Sequence, residues 1–479
     1  MIVRERASVR GVTQIPEGLP HTLGELRAAG HRYQTVKDEL RKNLLARLRS
    51  GQSRFPGIVG YDDTVLPEVE RAILAGHDMV LLGERGQGKT RLIRSLAQLL
   101  DEWTPVIPGS ELNEHPLHPI TPSSRRQIEE AGDDQPVAWL HRSMRYGEKL
   151  ATPDTSVADL VGDVDPIRVA QGRTLGDPET IHFGLVPRTN RGIFAVNELP
   201  DLAERIQVSL LNVLEERDIQ IRGYQLRLPL DLLLVASANP EDYTNRGRII
   251  TPLKDRFGAE IRTHYPLDLD LEIELVRQEA ALVATVPDHV LEVLARFARA
   301  VRESPAVDAR SGVSARFAIA AAETVAASAL RRAGLLAEAD AVARIGDAVS
   351  VTSTLRGKVE FESGEEGREI EILSHLLRTA TADTFRARLA GLDLSGFINL
   401  VAEGEIIETG ELVAADEVLR QVGTVPGLAK VLDRLGVGDA PSRGEAAAGV
   451  EFALEGLHLT RRMSKALTDE GRTLYGSRE

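Results

Sequence analysis

The stretch HDMVLLGERGQGKTRLIRSLAQLL, residues 77–100, constrains the fold of this chain more than any other. It reads as a short apolar strand at 79–82, a glycine-rich turn, and a helix with its apolar side chains on one face. A strand and a helix on either side of G-x-x-x-x-G-K-[ST] predict a phosphate-binding loop. In such a loop the backbone N–H groups converge on an anion, and the helix N-terminus adds partial positive charge. The predicted loop residues are Gly83, Glu84, Arg85, Gly86, Gln87, Gly88, Lys89 and Thr90.

Two side chains of this loop carry the chemistry. Lys89 is expected to reach the β- and γ-phosphates, and the Thr90 hydroxyl is expected to ligate Mg²⁺. The alternative is a glycine-rich turn that matches the motif by chance, and the flanking strand and helix count against it. The sequence therefore predicts a site for a nucleoside triphosphate.

The composition is typical of a globular protein. The chain has 479 residues, of which 42% are hydrophobic and 27% charged, and this length is enough for several domains. It contains no cysteine, which excludes disulfides and thiolate metal sites and fits a reducing compartment. The first residues, MIVRERASVR, lack the apolar segment of a secretory signal, and no apolar run approaches about 18 residues. We therefore expect a cytoplasmic protein with no membrane segment.

Charge and histidine spacing argue against two further kinds of site. The chain carries 58 basic and 72 acidic residues, a formal net charge of −14. An acidic balance repels phosphate backbones at long range, so nucleic acid is disfavoured as a partner. His115, His118 and His141 have neither regular spacing nor a carboxylate partner, and we interpret them as solvated loop residues rather than metal ligands.

Several further elements follow the loop in order. Four apolar residues, 193–196, predict a buried parallel strand that delivers Glu198 to the carboxyl edge of a sheet. Polarity then alternates on both sides of a turn, which predicts a hairpin over 218–229. Another buried strand leads to Asn239, and Arg256 precedes a last strand at 260–264.

This order of elements, followed by alanine- and leucine-rich helices, resembles the AAA+ ATPases from about Phe55 to Leu330. Within that superfamily the chain is similar to the magnesium chelatase ATPase subunit and to MoxR-type ATPases. The motifs that carry the resemblance are FPGIVGYDD, GERGQGKT, RGIFAVNELPDL, SANPEDY and LKDRFG. The resemblance implies an α/β fold. A P-loop AAA+ core, with a parallel sheet and helices on both faces, would be followed by an all-α lid and a further helical C-terminal region.

The residue patterns and the resemblance together predict a division of the chain into four parts. An N-terminal helical segment, 1–54, precedes the AAA+ nucleotide-binding domain, 55–268. That domain would contain a helix-2 insert at 151–190 and a pre-sensor hairpin at 218–229. A helical lid, 269–350, and a C-terminal helical region, 351–479, would follow.

Carried over residue by residue, the resemblance implies ATP hydrolysis with ATP and Mg²⁺ as cofactors. Lys89 and the loop amides would hold the phosphates, and Thr90 and Glu198 would hold the metal. Glu198 would also orient and polarise the attacking water. Asn239 matches the sensor 1 position, where it would bond that water or the γ-phosphate.

Two arginines complete the implied catalytic set. Arg256 matches the arginine finger, which acts in trans on a neighbouring subunit's nucleotide. Arg316 matches sensor 2, which ties the helical lid to the phosphates.

Three of these roles have alternatives. Asn239 could simply end its strand in a turn. Arg256 could form an interface salt bridge, with Arg246 or Arg248 as the finger instead. Arg310 lies slightly earlier than the sensor 2 candidate and competes for its role.

One residue departs from the family pattern. The family usually has Asp-Glu at the end of the second apolar strand, and here the pair is Asn197-Glu198. Asparagine keeps an acceptor oxygen but lacks the charge that helps to bind Mg²⁺. Slower hydrolysis or weaker Mg²⁺ binding would follow. Our hypothesis is that activity survives because Glu198 is retained.

Because the finger comes from another chain, the resemblance implies a homo-oligomeric ring, usually a hexamer. The function it implies is a motor that remodels or activates a partner protein, in the chelatase family one with a von Willebrand A-type domain. Three alternatives remain open. They are a MoxR-type chaperone for a metal-dependent complex, a DNA-acting AAA+ protein, and a nucleotide switch with little turnover.

Overall fold

A computed structural model describes residues 15–165, 167, 180–215, 218–221, 224–240, 248–308, 312–402, 404–438, 440–468 and 471–477. Contacts divide the chain into two units. The first holds the described residues up to Gly83 and Gly88–Thr263, and the second holds Glu84–Gln87 and the residues from His264 onward.

The helices and strands of the described residues have the following bounds. The helices are α1 (Leu23–Ala28), α2 (Val36–Ser50), α3 (Val65–Ala75), α4 (Lys89–Ser95), α5 (Pro122–Ala131), α6 (Val157–Leu160), α7 (Leu185–Arg188), α8 (Glu204–Glu215), α9 (Thr251–Arg256), α10 (Leu269–Glu279), α11 (Asp288–Glu303), α12 (Ala315–Leu336), α13 (Ser350–Thr354), α14 (Glu369–Leu389), α15 (Ser395–Ala402), α16 (Ala415–Val422), α17 (Leu428–Arg434) and α18 (Arg443–Leu459). The strands are β1 (Met79–Leu82), β2 (Trp103–Val106), β3 (Ala138–His141), β4 (Tyr146–Leu150), β5 (Gly162–Val164), β6 (Ile181–Phe183), β7 (Gly192–Asn197), β8 (Asp218–Ile221), β9 (Tyr224–Arg227), β10 (Leu232–Ala238), β11 (Ala259–Arg262), β12 (Ile407–Gly410), β13 (Ser464–Leu467) and β14 (Arg472–Gly476).

A five-stranded parallel sheet forms the centre of the first unit, with the strand order β11-β1-β10-β7-β4. Counted along the chain, these strands lie in the order 5-1-4-3-2, which is the arrangement of an AAA+ P-loop core. Parallel α/β sheets bind ligands at the carboxyl ends of their strands, beside the point where the strand order reverses. β1 lies between β10 and β11, and Leu82 is in register with Ala238. The predicted fold class is confirmed.

Side chains of this sheet alternate between two hydrophobic clusters. Met79 and Leu81 of β1 pack in one cluster with residues of α2, α3 and α4. Val80 and Leu82 pack in the other, with residues of α8. Successive residues of a strand point to opposite faces, so both faces of the sheet are covered by helices. The strands β1, β7 and β10 are consequently buried at every position, as central parallel strands are.

A buried ion pair joins helix α2 to Arg145, the residue immediately before β4. Both carboxylate oxygens of Glu39 accept hydrogen bonds from the Arg145 guanidinium, at 2.7 Å each. Thr35 caps the start of the helix by accepting a bond from the Asp38 amide, and Gly51 ends it with a left-handed backbone. Residues of the predicted N-terminal segment therefore contribute to the core of the first unit.

Three antiparallel pairs of short strands accompany the central sheet, and one of them joins β2 to β3. β8 and β9 form a hairpin in which Asp218 pairs with Arg227, within the region where the sequence predicts one. β5 and β6 pair within the predicted insert at 151–190. Residues 166 and 168–179 of that insert lie outside the described residues.

The second unit is built mainly from helices around one hydrophobic cluster. The cluster runs from Ile273 on α10 to Tyr475 on β14, and the longest contributing helix is α12, with 22 residues. Its members lie on both sides of the predicted boundary between residues 350 and 351. The four-part division of the chain remains a prediction.

The second unit also contains a small sheet that the sequence analysis did not predict. Its strands lie in the order β12-β14-β13 and are antiparallel. Tyr475 of β14 is buried, and its hydroxyl donates to Glu455 of α18. Burial raises the pKa of Tyr475, so the phenol stays protonated as the donor of this bond. Among the described residues, no helix is both long enough and apolar enough to cross a bilayer.

Candidate nucleotide-binding site

The predicted phosphate-binding loop leaves the carboxyl end of β1 and enters α4. The Gly83 amide donates to the Ala238 carbonyl at 3.1 Å, which fixes the start of the loop against β10. Gly86 and Gly88 both have φ of 78°, a left-handed backbone that favours glycine. α4 then begins at Lys89, so its first amides lie at the end of the loop. This strand–loop–helix arrangement can place backbone N–H groups around an anion.

Lys89 joins the ends of two neighbouring strands. Its side chain is buried, and Nζ donates to Asn239 Oδ1 at 2.8 Å and to the Gly83 carbonyl. Asn239 follows β10 directly, and Gly83 follows β1. The predicted phosphate-binding lysine and the predicted sensor 1 residue are therefore in direct contact.

Thr90 lies beside the end of β7. Its Oγ1 is 3.5 Å from Asn197 Oδ1, a long contact for a hydrogen bond. The same Asn197 oxygen accepts a bond from Ser237 Oγ at 3.2 Å. Ser237 in turn accepts a bond from the Glu198 amide at 3.2 Å. The ends of β7 and β10 thus hold the Thr90 hydroxyl close to an oxygen acceptor.

Asn197 also contacts a carboxylate on the edge strand β4. Its Nδ2 donates to Glu148 Oε1 at 2.6 Å. Glu148 forms a bidentate pair with Arg94 of α4, at 2.8 and 3.1 Å, and accepts a bond from Tyr146 at 3.0 Å. Burial and the Glu148 charge raise the pKa of Tyr146, which keeps this phenol a donor.

Neither Glu148 nor Ser237 was predicted from the sequence as a residue of this site. The signal for Ser237 was its position two residues before Asn239 in a predicted strand, on the same face of that strand. Glu148 had no such signal, because β4 was not predicted as a strand of the sheet.

Glu198, the predicted catalytic acid, has an unusual backbone. Its φ is 57° and its ψ is 48°, a left-handed conformation that costs about 1–2 kcal/mol for a residue other than glycine. The residue is half-buried and follows β7 directly. Such backbone strain at the end of a strand marks candidate functional positions.

The donors at this edge fit Mg²⁺. The Thr90 hydroxyl and the Asn197 amide oxygen lie 3.5 Å apart. On the other end of the same amide, Asn197 Nδ2 lies 2.6 Å from Glu148 Oε1. Mg²⁺ takes oxygen ligands and is commonly bound by few protein groups together with substrate phosphates and waters. Within the described ranges, no group of three or more His, Cys, Asp or Glu side chains is placed to hold a metal by itself.

The predicted arginines lie in different units. Arg256 ends α9 of the first unit and is exposed. Arg316 lies in the first turn of α12 in the second unit and is also exposed. Within the second unit, Gly86 packs closely on Ser314, since a Cβ at Gly86 would lie 2.0 Å from that of Ser314.

Of the three alternative arginines, the structure describes one. Arg248 is exposed. Arg246 and Arg310 lie outside the described residues.

The interpretation of His115 as a solvated residue is wrong. It is 1% exposed, and its Nε2 lies 3.1 Å from His31 Nε2. Its Nδ1 accepts a bond from the Leu117 amide, so this nitrogen carries no proton. Burial lowers the pKa of His115 to about 2, and the neutral ring is part of the core.

Comparison with known proteins finds magnesium-chelatase subunits. The 38 kDa subunit of Cereibacter sphaeroides is 30% identical over 240 residues, 47% of this chain and 63% of that protein. ChlI of Nostoc sp. is 29% identical over 233 residues, 47% of this chain and 58% of that protein. Chloroplastic ChlI-1 of Arabidopsis thaliana is 28% identical over 232 residues, 47% and 51% of the two chains. The chain thus spans less than two thirds of each of these relatives. No established protein-family model matches the chain.

Solved structures that match this chain include a complex of magnesium chelatase subunits BchI and BchD. That match has a TM-score of 0.35 at 23% identity and covers 66% of this chain and 98% of the other. The RuvB Holliday junction branch migration motor of Thermotoga maritima has a TM-score of 0.30 at 14% identity and covers 91% and 90%. The strand order β11-β1-β10-β7-β4 is that of the AAA+ P-loop fold, and the sequence of the chain resembles magnesium-chelatase subunits.

Proposed function

We propose that this chain is an ATP-hydrolysing AAA+ motor that works as the ATPase subunit of a magnesium-chelatase-like complex. The observation that carries the proposal is the meeting of a buried lysine and oxygen donors at one edge of a parallel sheet. Lys89 Nζ lies 2.8 Å from Asn239 Oδ1, and Thr90 Oγ1 lies 3.5 Å from Asn197 Oδ1. A cation and hard oxygen donors at a helix N-terminus are what a magnesium nucleotide requires.

The roles proposed for this chain's residues follow from their places. Lys89 and the loop amides bind the β- and γ-phosphates, while Thr90 and Glu198 hold Mg²⁺, which when bound neutralises phosphate charge. Glu198 orients the attacking water and accepts its proton. Asn239 exchanges its bond with Lys89 for one to the γ-phosphate or the water.

A neighbouring copy of the chain completes the site. Arg256 is exposed at the end of α9, where it can reach beyond its own subunit. An arginine supplied in trans stabilises transition-state charge and contributes roughly 10³–10⁵ in rate. We therefore infer a homo-oligomeric ring, a hexamer by family precedent. Arg316 serves as sensor 2 from the helical part of the chain.

The output of hydrolysis is the remodelling or activation of a partner protein. The chelatase resemblance favours a partner with a von Willebrand A-type domain, met in the cytoplasm. The net charge of −14 argues against nucleic acid as the client.

A Glu198→Gln variant tests the proposal. It keeps the loop, and it should bind ATP with nearly unchanged affinity while turnover falls by about 10²–10⁴, because the proton acceptor is gone. Phosphate release and binding of a fluorescent ATP analogue measure the two effects. The variant should also retain the partner in an ATP-dependent pull-down.

Glu204→Gln is the matched control, since Glu204 is exposed on the following helix α8. It should behave as the wild type. The proposal fails if the wild type neither binds ATP nor releases phosphate with Mg²⁺ present. It also fails if Glu198→Gln turns over as fast as the wild type.

A further inference from the structure

The side chains of Glu148, Asn197 and Thr90 form a continuous polar path at the carboxyl edge of the sheet. Glu148 Oε1 accepts a bond from Asn197 Nδ2 at 2.6 Å, and Asn197 Oδ1 lies 3.5 Å from Thr90 Oγ1. Asn197 is 7% exposed, and the Glu148 side chain is 20% exposed. One amide therefore separates a carboxylate from the hydroxyl of the phosphate loop.

The two ends of the Asn197 amide are chemically distinct, and each faces a group that matches it. Nδ2 is a donor and meets the carboxylate of Glu148. Oδ1 is an acceptor and meets the hydroxyls of Thr90 and Ser237. The bond to Glu148 thus sets which end of the amide faces the loop.

An aspartate at position 197 would not fit this arrangement. It would place a second carboxylate within 2.6 Å of Glu148, in a site that is mostly shielded from water. Like charges so close repel strongly. With Asn197 and Glu148 the pair carries a single negative charge, and that charge sits on β4 instead of β7.

Glu148 also forms an ion pair with Arg94. This contact alone would explain the glutamate at position 148 as a structural residue. Arg94 Nε bonds to Oε2 at 2.8 Å, and its Nη2 reaches Oε1 at 3.1 Å. The shortest of the bonds to Glu148 is nevertheless the one from Asn197, at 2.6 Å. A role through Arg94 and a role through Asn197 predict different outcomes when the carboxylate is moved from position 148 to position 197.

We propose that Glu148 is a positioning residue of the nucleotide site, which supplies from β4 the carboxylate that Asn197 lacks and turns the Asn197 oxygen toward Thr90. This inference rests on the proposed function, since it assigns part of the binding of a magnesium nucleotide to the pair. The departure of Asn197 from the family pattern is then compensated one strand away.

Three variants test the exchange: Glu148→Gln, Asn197→Asp and the double variant with both changes. The first leaves the pair neutral, the second gives it two carboxylates, and the double variant restores one carboxylate with the donor and acceptor reversed. The control is Asn43→Asp. Asn43 Nδ2 bonds to Asp101 Oδ1 at 2.8 Å, so this change creates a similar carboxylate pair away from the loop.

The first readout is the affinity for a fluorescent ATP analogue, measured with Mg²⁺ and with chelator. Glu148→Gln should reduce the gain in affinity that Mg²⁺ provides by about tenfold, and the double variant should recover most of it. Asn43→Asp should leave that gain unchanged. If the double variant binds no better than Glu148→Gln, the carboxylate acts only through Arg94 and the inference is wrong.

The second readout is the Tm without nucleotide or Mg²⁺. Asn197→Asp should melt about 2 °C or more below the double variant, although the latter carries one more substitution. Equal Tm values would contradict the pairing. A wild-type chain with no Mg²⁺-dependent nucleotide binding would defeat the proposed function and this inference together. Wild-type binding without recovery in the double variant would defeat the inference alone.

Discussion

Lys89 Nζ donates to Asn239 Oδ1 at 2.8 Å, across the boundary between the phosphate loop and the end of β10. Both side chains are buried, so each satisfies a polar group that would otherwise be costly to bury. A bound phosphate would attract Lys89 more strongly than a neutral amide does, because both the ammonium donor and the phosphate acceptor of that hydrogen bond are charged. Asn239 would then be available to bond the γ-phosphate or the attacking water.

Replacing Asn239 by Ala tests this exchange. We expect ATP affinity within a few-fold of the wild type, because Lys89 keeps its phosphate partners. Turnover should fall by about 10², the cost of losing one preorganised bond to the reacting groups. Steady-state phosphate release and analogue binding measure the two values. Asn212→Ala on α8 is the control, and a wild-type kcat for Asn239→Ala would contradict the role.

Replacing Arg256 by Ala tests the finger. The residue is exposed at the end of α9, so the change should not disturb the fold. Turnover at saturating ATP should fall by about 10³ or more while nucleotide affinity changes little. Lys254→Ala removes a neighbouring exposed cation on the same helix and should leave turnover nearly unchanged. If the two variants lose the same activity, Arg256 has no special role.

Of the ion pairs described in the first unit, the buried pair of Glu39 and Arg145 should contribute most to the free energy of unfolding. Their side chains are 4% and 1% exposed, so Glu39→Gln leaves a buried guanidinium without its counter-charge. We expect a loss of about 3–5 kcal/mol. Asp133→Asn breaks the exposed pair with Arg27 and should cost at most about 1 kcal/mol.

Urea unfolding followed by tryptophan fluorescence measures both losses. Trp103 and Trp139 are the two tryptophans of the chain, and both lie in the first unit. Equal losses for the two variants would show that burial does not increase the contribution of the Glu39–Arg145 pair to the free energy of unfolding.

His289 should make the second unit sensitive to acid. Burial, together with the smaller effect of the nearby Arg388 charge, lowers its pKa from the ordinary 6.5 to about 4. Between these values the unfolded chain binds a proton that the folded chain does not, so stability rises with pH across this window. It is lost as the pH falls from 6.5 to about 4, by about 3 kcal/mol in total.

A His289→Leu variant should lack this loss. Urea unfolding followed by far-UV circular dichroism at about pH 4 and about pH 7 measures the difference. The exposed His375 on α14 provides the control, and His375→Gln should keep the wild-type pH dependence. The same acid loss in His289→Leu would exclude His289 as its source.

The parts of the fold that were predicted correctly are those with local signals. The strand at 79–82, the glycine-rich loop and the apolar strand before Glu198 are each set by neighbouring residues, and their order indicated the AAA+ core. β4 had no such signal, because Y-G-E-K-L is a short edge strand that only its pairing with β7 identifies. The sheet of β12, β13 and β14 depends in the same way on pairing between distant residues.

The candidate site was predictable to a similar extent. Lys89, Thr90 and Asn239 follow from motif and strand ends, and Lys89 and Asn239 are found in contact. The contact between Glu148 and Asn197 could not be read from spacing, since the two residues come from strands separated by the insert. The burial of His115 also depends on residues far away in the chain, including His31.

In the proposed ring, two copies of the chain share each ATP, one supplying the phosphate loop and the other the arginine finger. Mixing Lys89→Ala subunits, which keep Arg256, with Arg256→Ala subunits, which keep the loop, tests it most directly. Each variant alone should release phosphate about 10³-fold more slowly than the wild type. We predict that the mixture regains a clear fraction of wild-type turnover, largest near equal amounts. A mixture no more active than the sum of its two inactive parts would show that no site is shared between subunits.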